Sequence, residues 1–202
     1  MTDAMSWDWP DSGVRRRVDT VGRLVLWSYA GLSLTRQAMA GDKAHLFPKG
    51  RGRAMPAEFG RYVRREKRPG PLDRESRLQA LYRPFCAHCG AAHADQMDHL
   101  IPRSRGGGDL GFNTVPSCGS CNRRRGSKDL MQWYRDRKMF PTLALMRHYL
   151  KLCHAVSMAT GLSDRSPEDA RAAGLPFDPC LLPSRYPPVE QLVWDWRFSD
   201  GR

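Results

Sequence analysis

Four of the six cysteines frame the stretch of sequence that decides the fold. It runs from Cys86 to Asn122 and reads CAHCGAAHADQMDHLIPRSRGGGDLGFNTVPSCGSCN. The cysteines form two C-x-x-C pairs, Cys86 with Cys89 and Cys118 with Cys121. Two such pairs around a long insert are typical of a structural Zn²⁺ site, because four thiolates satisfy the tetrahedral preference of the ion. The sequence therefore predicts a zinc-stapled domain.

The insert also predicts a small hairpin followed by a helix. The apolar residues around Asp98 and His99 predict a short strand, residues 113–115 predict a second strand, and residues 118–125 predict a short helix that ends at Gly126. In this order a strand-borne Asp98 and a helix-borne Asn122 can converge on one cation, with His99 facing the same cleft. Each polar residue alone could be a strand-end, turn or cap residue, but that explanation does not account for their joint occurrence.

These residues resemble the zinc-containing HNH endonucleases, whose fold is the ββα-metal motif. The resemblance rests on the cysteine pairs, Asp98-His-Leu-Ile-Pro102, Gly106-Gly107, Asn113-Thr-Val-Pro116 and Asn122, and it covers about residues 78–138. It implies an α+β fold in which a small zinc-stapled ββα core carries mainly helical N- and C-terminal flanks.

The resemblance also implies a role for each matching residue. His99 matches the general base that removes a proton from the attacking water, and Asn113 matches the residue that holds the loop and orients that histidine. Asp98 and Asn122 match the ligands of a single divalent cation, and oxygen ligands suit Mg²⁺ or Mn²⁺. Arg125 departs from the Lys that the family often has, and it is expected to contact phosphate. The other expected nucleic-acid contacts in this domain are Arg103, Arg105, Arg123, Arg124 and Lys128.

The charge distribution favours a polyanionic partner. The formal net charge is +12, from 33 Lys and Arg against 21 Asp and Glu, and it is concentrated in the middle of the chain. Residues 43–83 contain many basic side chains among Gly and Pro, and they directly precede the cysteines. Such a segment releases counterions when it neutralises phosphates, so Arg64, Arg65 and Arg68 are predicted DNA contacts. The alternative is a solvent-exposed linker.

Composition shifts divide the chain into four predicted segments. Residues 1–42 are an N-terminal helical element, with one helix capped by Asp19 or Thr20 and a second capped by Ser33. Residues 43–77 are a basic Gly/Pro-rich arm or linker, and residues 78–138 are the nuclease domain. Residues 139–202 are a C-terminal helical region with a Pro-rich tail, in which Pro141 and Ser166 start helices.

The sequence excludes a membrane-spanning segment and predicts a cytoplasmic enzyme. Its longest apolar stretch, residues 24–34, is shorter than the roughly 20 residues that a span needs, and the N-terminus lacks the pattern of a secretory signal. The predicted function is that of a metal-dependent HNH endonuclease that nicks DNA. We expect it to act as a homodimer or with other subunits of a bacterial restriction or anti-phage system. The alternative is a non-catalytic zinc-dependent module that binds nucleic acid.

Overall fold

A computed structural model describes residues 18–41, 51–75, 85–108 and 111–196. The chain divides into two units, which are described separately. The first unit comprises Met1–Pro69 and Cys153–Leu192, and the second comprises Gly70–Leu152 and Val193–Arg202. Parts of every predicted segment, including residues 1–17 and the start of the nuclease domain at residue 78, lie outside the described residues. The four predicted boundaries therefore stay predictions.

In the described part of the first unit, the first helix along the chain is α1, from Val21 to Met39. The predicted cap is confirmed, because the Thr20 side chain accepts a hydrogen bond from the Arg23 N–H at 3.3 Å. The predicted second helix start at Ser33 is wrong, since α1 continues through this residue. The Ser33 hydroxyl donates to Glu58 at 2.8 Å instead of capping a new helix.

The predicted basic arm contains a helix, α2, from Arg51 to Val63. It packs on α1 through two edge-to-face aromatic pairs, Trp27 with Phe59 at 5.2 Å and Tyr29 with Tyr62 at 5.5 Å. Because these four side chains are buried, their burial offsets the low helix propensity of the Gly and Pro residues in the segment. This part of the arm is therefore a packed helix and not a linker.

The C-terminal part of the first unit packs against α1. Trp27 donates through Nε1 to the Ser184 carbonyl at 3.1 Å, and the Tyr186 hydroxyl donates to the Ser28 carbonyl at 3.0 Å. A side chain at Gly31 would collide with the Tyr186 ring, so this helix position requires glycine. The unit also contains α6, from Pro167 to Ala172, whose predicted Ser166 cap is confirmed, and two short 3-10 helices, Pro179–Leu181 and Val189–Gln191. 

The second unit contains the predicted hairpin and helix. Strands β1, Gln96–His99, and β2, Thr114–Ser117, are antiparallel, and Gln96 lies opposite Ser117 while His99 lies opposite Thr114. They are followed by helices α3, Gly119–Arg125, and α4, Leu130–Asp136, and by α5, Leu143–Ala159, whose part up to Leu152 belongs to this unit. Short 3-10 helices occupy Arg103–Arg105 and Gly111–Asn113. The predicted order of strand, loop, strand and helix and the α+β class are confirmed, with bounds that differ by a few residues.

Local side-chain caps set two helix starts in the second unit, and one of them differs from its prediction. Asp129 caps α4, because its carboxylate accepts from the Met131 N–H at 2.9 Å. Helix α5 begins at Leu143 and not at residue 141, because the Thr142 hydroxyl accepts from the Leu145 N–H at 3.2 Å. In the described part of the chain, no helix is long and apolar enough to cross a membrane.

Candidate metal centre and nuclease site

The four cysteines of the two pairs meet at one point of the second unit. Their sulfur atoms all lie within 4.8 Å of one another, and the Cys89 and Cys118 sulfurs are 3.9 Å apart. Tetrahedral zinc with Zn–S bonds of about 2.3 Å needs sulfur separations of about 3.8 Å. The cysteines therefore fit a Zn²⁺ ion, which would hold the turn with Cys86 and Cys89 against the start of α3.

Local backbone geometry presents these sulfur atoms. In the first pair, the Gly90 N–H donates to the Cys86 carbonyl at 2.9 Å, and the positive φ of +75° at Gly90 favours glycine. In the second pair, Cys118 is the N-cap residue of α3, and Cys121 lies about one helical turn later. The Cys121 N–H bond lowers the pKa of Cys118, whereas burial raises the pKa of Cys121. Zinc binding favours the thiolate form of both residues.

Asn113 closes the loop that follows β1. Its Oδ1 accepts from the Ile101 N–H at 2.9 Å, and its Nδ2 donates to the carbonyls of Ile101 at 3.0 Å and Gly108 at 2.9 Å. Its backbone carbonyl also accepts from the Leu100 N–H at 2.7 Å. The Asn113 side chain thus extends the hydrogen bonding of the hairpin beyond the strands. It fixes the loop at Ile101, two residues after His99, and at Gly108.

Gly107 makes this loop closure possible. Its N–H donates to the Pro102 carbonyl at 3.0 Å, and a Cβ at this position would lie 1.9 Å from the Ile101 carbonyl oxygen. No side chain fits there without moving backbone. The Gly-rich loop is therefore a packed turn of the site and not only a flexible connection.

Three of the four predicted site residues, Asp98, His99 and Asn113, lie where β1 ends and β2 begins, whereas Asn122 contacts the other end of β1. His99 is the last residue of β1 and is half-buried, and Asp98 precedes it. Asn122 of α3 reaches β1, because its Nδ2 donates to the Gln96 side chain at 2.8 Å. Together with Asn113, these residues form the candidate nuclease site.

Asp98 has protein donors on both carboxylate oxygens. Oδ1 accepts from Arg125 Nη1 at 2.6 Å, and Oδ2 accepts from His88 Nε2 at 2.8 Å. The Tyr134 hydroxyl lies 3.1 Å from His88 Nδ1. Burial lowers the pKa of His88 and raises that of Tyr134, so the neutral imidazole donates to Asp98 and accepts from the tyrosine. Asp98 is only 3% exposed within this network.

The predicted cation between Asp98 and Asn122 stays a prediction, and the structure shows the surroundings that it would meet. Each carboxylate oxygen of Asp98 already accepts one hydrogen bond, and the neighbouring Arg125 carries a positive charge. A divalent cation on Asp98 would share the carboxylate with both donors and would lie beside this charge.

Arg125 lies in the interior, although the sequence predicted a phosphate contact at this position. Its side chain is 0% exposed, and it donates to Asp98 and to the carbonyls of His99 and Leu100. The spacing of Arg125 from Cys121 in the sequence indicates that Arg125 lies on the buried face of α3. Cys121 lies four residues earlier on α3 and is buried, and residues spaced by four share one helix face.

The other predicted nucleic-acid contacts lie at the surface. In the second unit, Arg103 and Arg105 follow β1, and Arg123 and Arg124 lie on α3, all with exposed side chains. Lys128 is exposed and pairs with Asp136 at 2.7 Å. In the first unit the predicted contacts are also exposed: Arg64, which pairs with Glu66 at 2.6 Å, Arg65 and Arg68. Exposed guanidinium groups can hold phosphates by paired hydrogen bonds.

The comparison with protein families agrees with this site. Residues 86–128 match the family of HNH endonucleases, which is about a fifth of the chain. The matched region contains all four cysteines, His99, Asn113 and Asn122, so the second unit carries an HNH endonuclease domain. This domain supports a nuclease-family function with nucleic acid as the substrate class. Neither the search of curated proteins nor the search of solved structures found a match.

Proposed function

We propose that the chain is an HNH endonuclease that hydrolyses DNA phosphodiester bonds, with Zn²⁺ as a structural ion. The observation that carries the proposal is the position of His99 at the end of β1, inside the matched domain. The loop that follows this histidine is closed by the Asn113 side chain. A structural zinc site alone would not require a histidine at the end of β1 or an asparagine that closes the loop after it.

His99 is the proposed general base. Its neutral imidazole takes a proton from a water molecule, whose oxygen forms the new bond to phosphorus while the bond from phosphorus to the 3′ oxygen breaks. The departing oxygen takes up a proton from solvent. Asn113 fixes the end of β1 and so orients His99. A divalent cation such as Mg²⁺ or Mn²⁺ supplies charge stabilisation of the transition state when it is bound.

The exposed arginines are the proposed contacts to DNA. Arg103 and Arg105 follow the His99 strand, and Arg123 and Arg124 extend from α3, so all four belong to elements that form the site. Their contacts to phosphate would position the duplex without reading its sequence. One such site in a chain cuts one strand, so the elementary product is a nick.

The test is a plasmid nicking assay on the zinc-loaded protein with Mg²⁺ or Mn²⁺. We expect the wild type to convert supercoiled plasmid to the open circle, and His99→Ala to lower the rate by about 10²-fold or more, because it removes the base. His93→Ala is the matched control, since His93 is an exposed histidine of the same domain that has no proposed role. An equally active His99→Ala variant would eliminate the proposed base.

The same assay decides between the enzyme and the non-catalytic module. A wild-type protein that shifts DNA in a gel but does not cut it with either cation is a zinc-dependent binding module. Cleavage that depends on His99 excludes this alternative. Duplex, nicked, branched and single-stranded DNA, together with RNA, define the substrate.

The proposal extends to the cellular role. The matched domain leaves most of the chain, including α1, α2 and the end of α5, for regulation or for contacts with partners. We propose a cytoplasmic subunit of a bacterial restriction or anti-phage system, active as a homodimer or with other subunits. Constitutive cutting without sequence preference by the isolated chain would contradict this role but not the nuclease activity.

A further inference from the structure

Arg125 stands where the family resemblance expects a cation beside Asp98. Its Nη1 lies 2.6 Å from Asp98 Oδ1, and the two side chains are 0% and 4% exposed. A buried carboxylate needs a positive partner or hydrogen-bond donors, because an isolated buried charge is costly. The guanidinium provides both to this carboxylate.

The same guanidinium also holds the backbone at the end of β1. Nη1 donates to the His99 carbonyl, and Nη2 donates to the Leu100 carbonyl at 2.6 Å. The planar fork of arginine can serve several acceptors at fixed angles, which a lysine ammonium on a flexible stem cannot do in the same way. Arg125 therefore connects α3 to the backbone of the proposed base.

The second donor on Asp98 makes the carboxylate difficult to free. His88 occupies Oδ2 from the opposite side of the carboxylate, and Tyr134 fixes the orientation of its ring. The His88 ring packs edge-to-face on Trp133 at 5.1 Å and is fully buried. A cation on Asp98 would compete with these two donors for the buried carboxylate and would lie next to the positive charge of Arg125.

We propose that Arg125 replaces a divalent cation beside Asp98, so that Asp98 and Arg125 are positioning residues for His99 and Asp98 is not a cation ligand. The binding part of this inference is independent of the proposed nuclease function, whereas the positioning part rests on it. A cation needed for cleavage would then bind without the Asp98 carboxylate.

The first test measures Mn²⁺ binding to the zinc-loaded protein by titration of the free-ion electron paramagnetic resonance signal. We expect wild type and Asp98→Asn to give the same binding curve. A loss of Mn²⁺ affinity of about tenfold or more in Asp98→Asn, as expected for removal of a ligand or its supporting partner, would overturn the proposal. Zinc content and thermal unfolding establish that the variant is folded.

A second measurement needs only the wild type, in case Asp98→Asn does not fold. The buried His88 Nε2 proton and the Arg125 guanidinium protons are observed by nitrogen-edited NMR while Mg²⁺, the diamagnetic counterpart of Mn²⁺, is added to saturation. A Mg²⁺ ion on Asp98 would compete with both hydrogen bonds to the carboxylate and would strongly shift both sets of signals. We expect both to keep their chemical shifts, and a large shift or loss of both would overturn the proposal.

The positioning role is tested by Arg125→Lys, with Arg135→Lys on the exposed face of α4 as the matched control. We expect Arg125→Lys to lower kcat for nicking about tenfold, because His99 is displaced slightly, while KM for DNA and the half-saturating Mg²⁺ concentration stay unchanged. An unchanged kcat would overturn the positioning role. A wild type that cuts nothing would refute the nuclease function, and the Mn²⁺ experiments would still decide the role of Asp98.

Discussion

The two units of the chain are stabilised by different kinds of contact. In the described part of the first unit, α1 and α2 pack through aromatic side chains such as Trp27 and Phe59. In the second unit, four cysteines, a buried Asp98–Arg125 ion pair and a buried Glu75 network lie among the apolar residues. This difference leads us to expect that the second unit depends more on a bound ion and a few buried charges, and the first unit more on buried apolar area.

In the described residues, the most completely buried ion pairs lie in the second unit, whereas the first unit pairs the buried Glu58 with the partly exposed Lys67. In the first unit, Arg64 and Glu66 are about half exposed, and such pairs contribute little to stability. In the second unit, Lys151 and Glu75 pair at 2.7 Å with side chains that are 5% and 3% exposed. Removal of one partner from a buried pair leaves an uncompensated charge and is strongly destabilising. Charge substitutions are therefore expected to affect the second unit more.

Zinc removal should give the largest effect and should separate the two units. Structural zinc contributes about 10–16 kcal/mol of apparent binding free energy in small zinc domains, so a chelator or Cys118→Ser should unfold the second unit. We expect calorimetry to show loss of the second unit's unfolding transition and elemental analysis to show loss of one zinc per chain. The matched control is Cys180→Ser, a half-buried cysteine of the first unit that lies outside the cluster. A Cys118→Ser protein that melts like the wild type would contradict the zinc site.

Phe59→Ala should give the largest single-residue effect in the first unit. Phe59 is buried against Trp27, and truncation of a buried aromatic side chain costs about 3–5 kcal/mol of unfolding free energy. We expect urea unfolding to show this loss in the first unit while zinc binding stays intact. Val63→Ala on the same helix is the control, because Val63 is 40% exposed. Equal losses in the two variants would show that α2 is not held by this aromatic contact.

The sequence predicts those parts of the domain whose structure is determined by the spacing of residues that are close in the chain. The C-x-x-C pairs, the strand around Asp98 and the helix after Cys118 were all predictable, because metal geometry and turn residues restrict where they can lie. The same is true of the Thr20 cap and of the predicted loop role of Asn113, whose contacts in the structure agree with it. These features depend on residues that are close in sequence.

The sequence does not predict the contacts that depend on residues far apart in the chain. Ser33 resembles a helix cap, and only its contact with Glu58 shows that α1 continues. The spacing of Arg125 from Cys121 places it on the buried face of α3, but only the structure shows that its partner there is Asp98 on the facing strand. His88 lies between two zinc-binding cysteines in the sequence, and only the structure shows that its ring contacts Asp98. A polar residue does not reveal its partner until the elements are assembled.

Glu75→Gln should give the smallest loss of stability among these variants. Its pH dependence should show whether buried charge distinguishes the second unit from the first. Burial alone would raise the pKa of Glu75, but the Lys151 hydrogen bond and the charge of Arg147 outweigh it and lower this pKa. A carboxyl group with a lowered pKa in the folded state stabilises the protein at neutral pH, and this contribution disappears as the pH falls through the folded-state value. We expect Glu75→Gln to cost about 3 kcal/mol at neutral pH.

Urea unfolding at a series of pH values measures this prediction in the second unit. The stability of the wild type and of Glu75→Gln should converge as the pH falls, because protonation removes the charge that the variant lacks. Glu190→Gln is the matched control, since Glu190 is an exposed carboxylate of the first unit and its removal should change stability by less than about 0.5 kcal/mol at any pH. A pH-independent loss in Glu75→Gln would show that Glu75 contributes through packing and not through its charge, and the contrast between the two units would then rest on the zinc site and on Asp98.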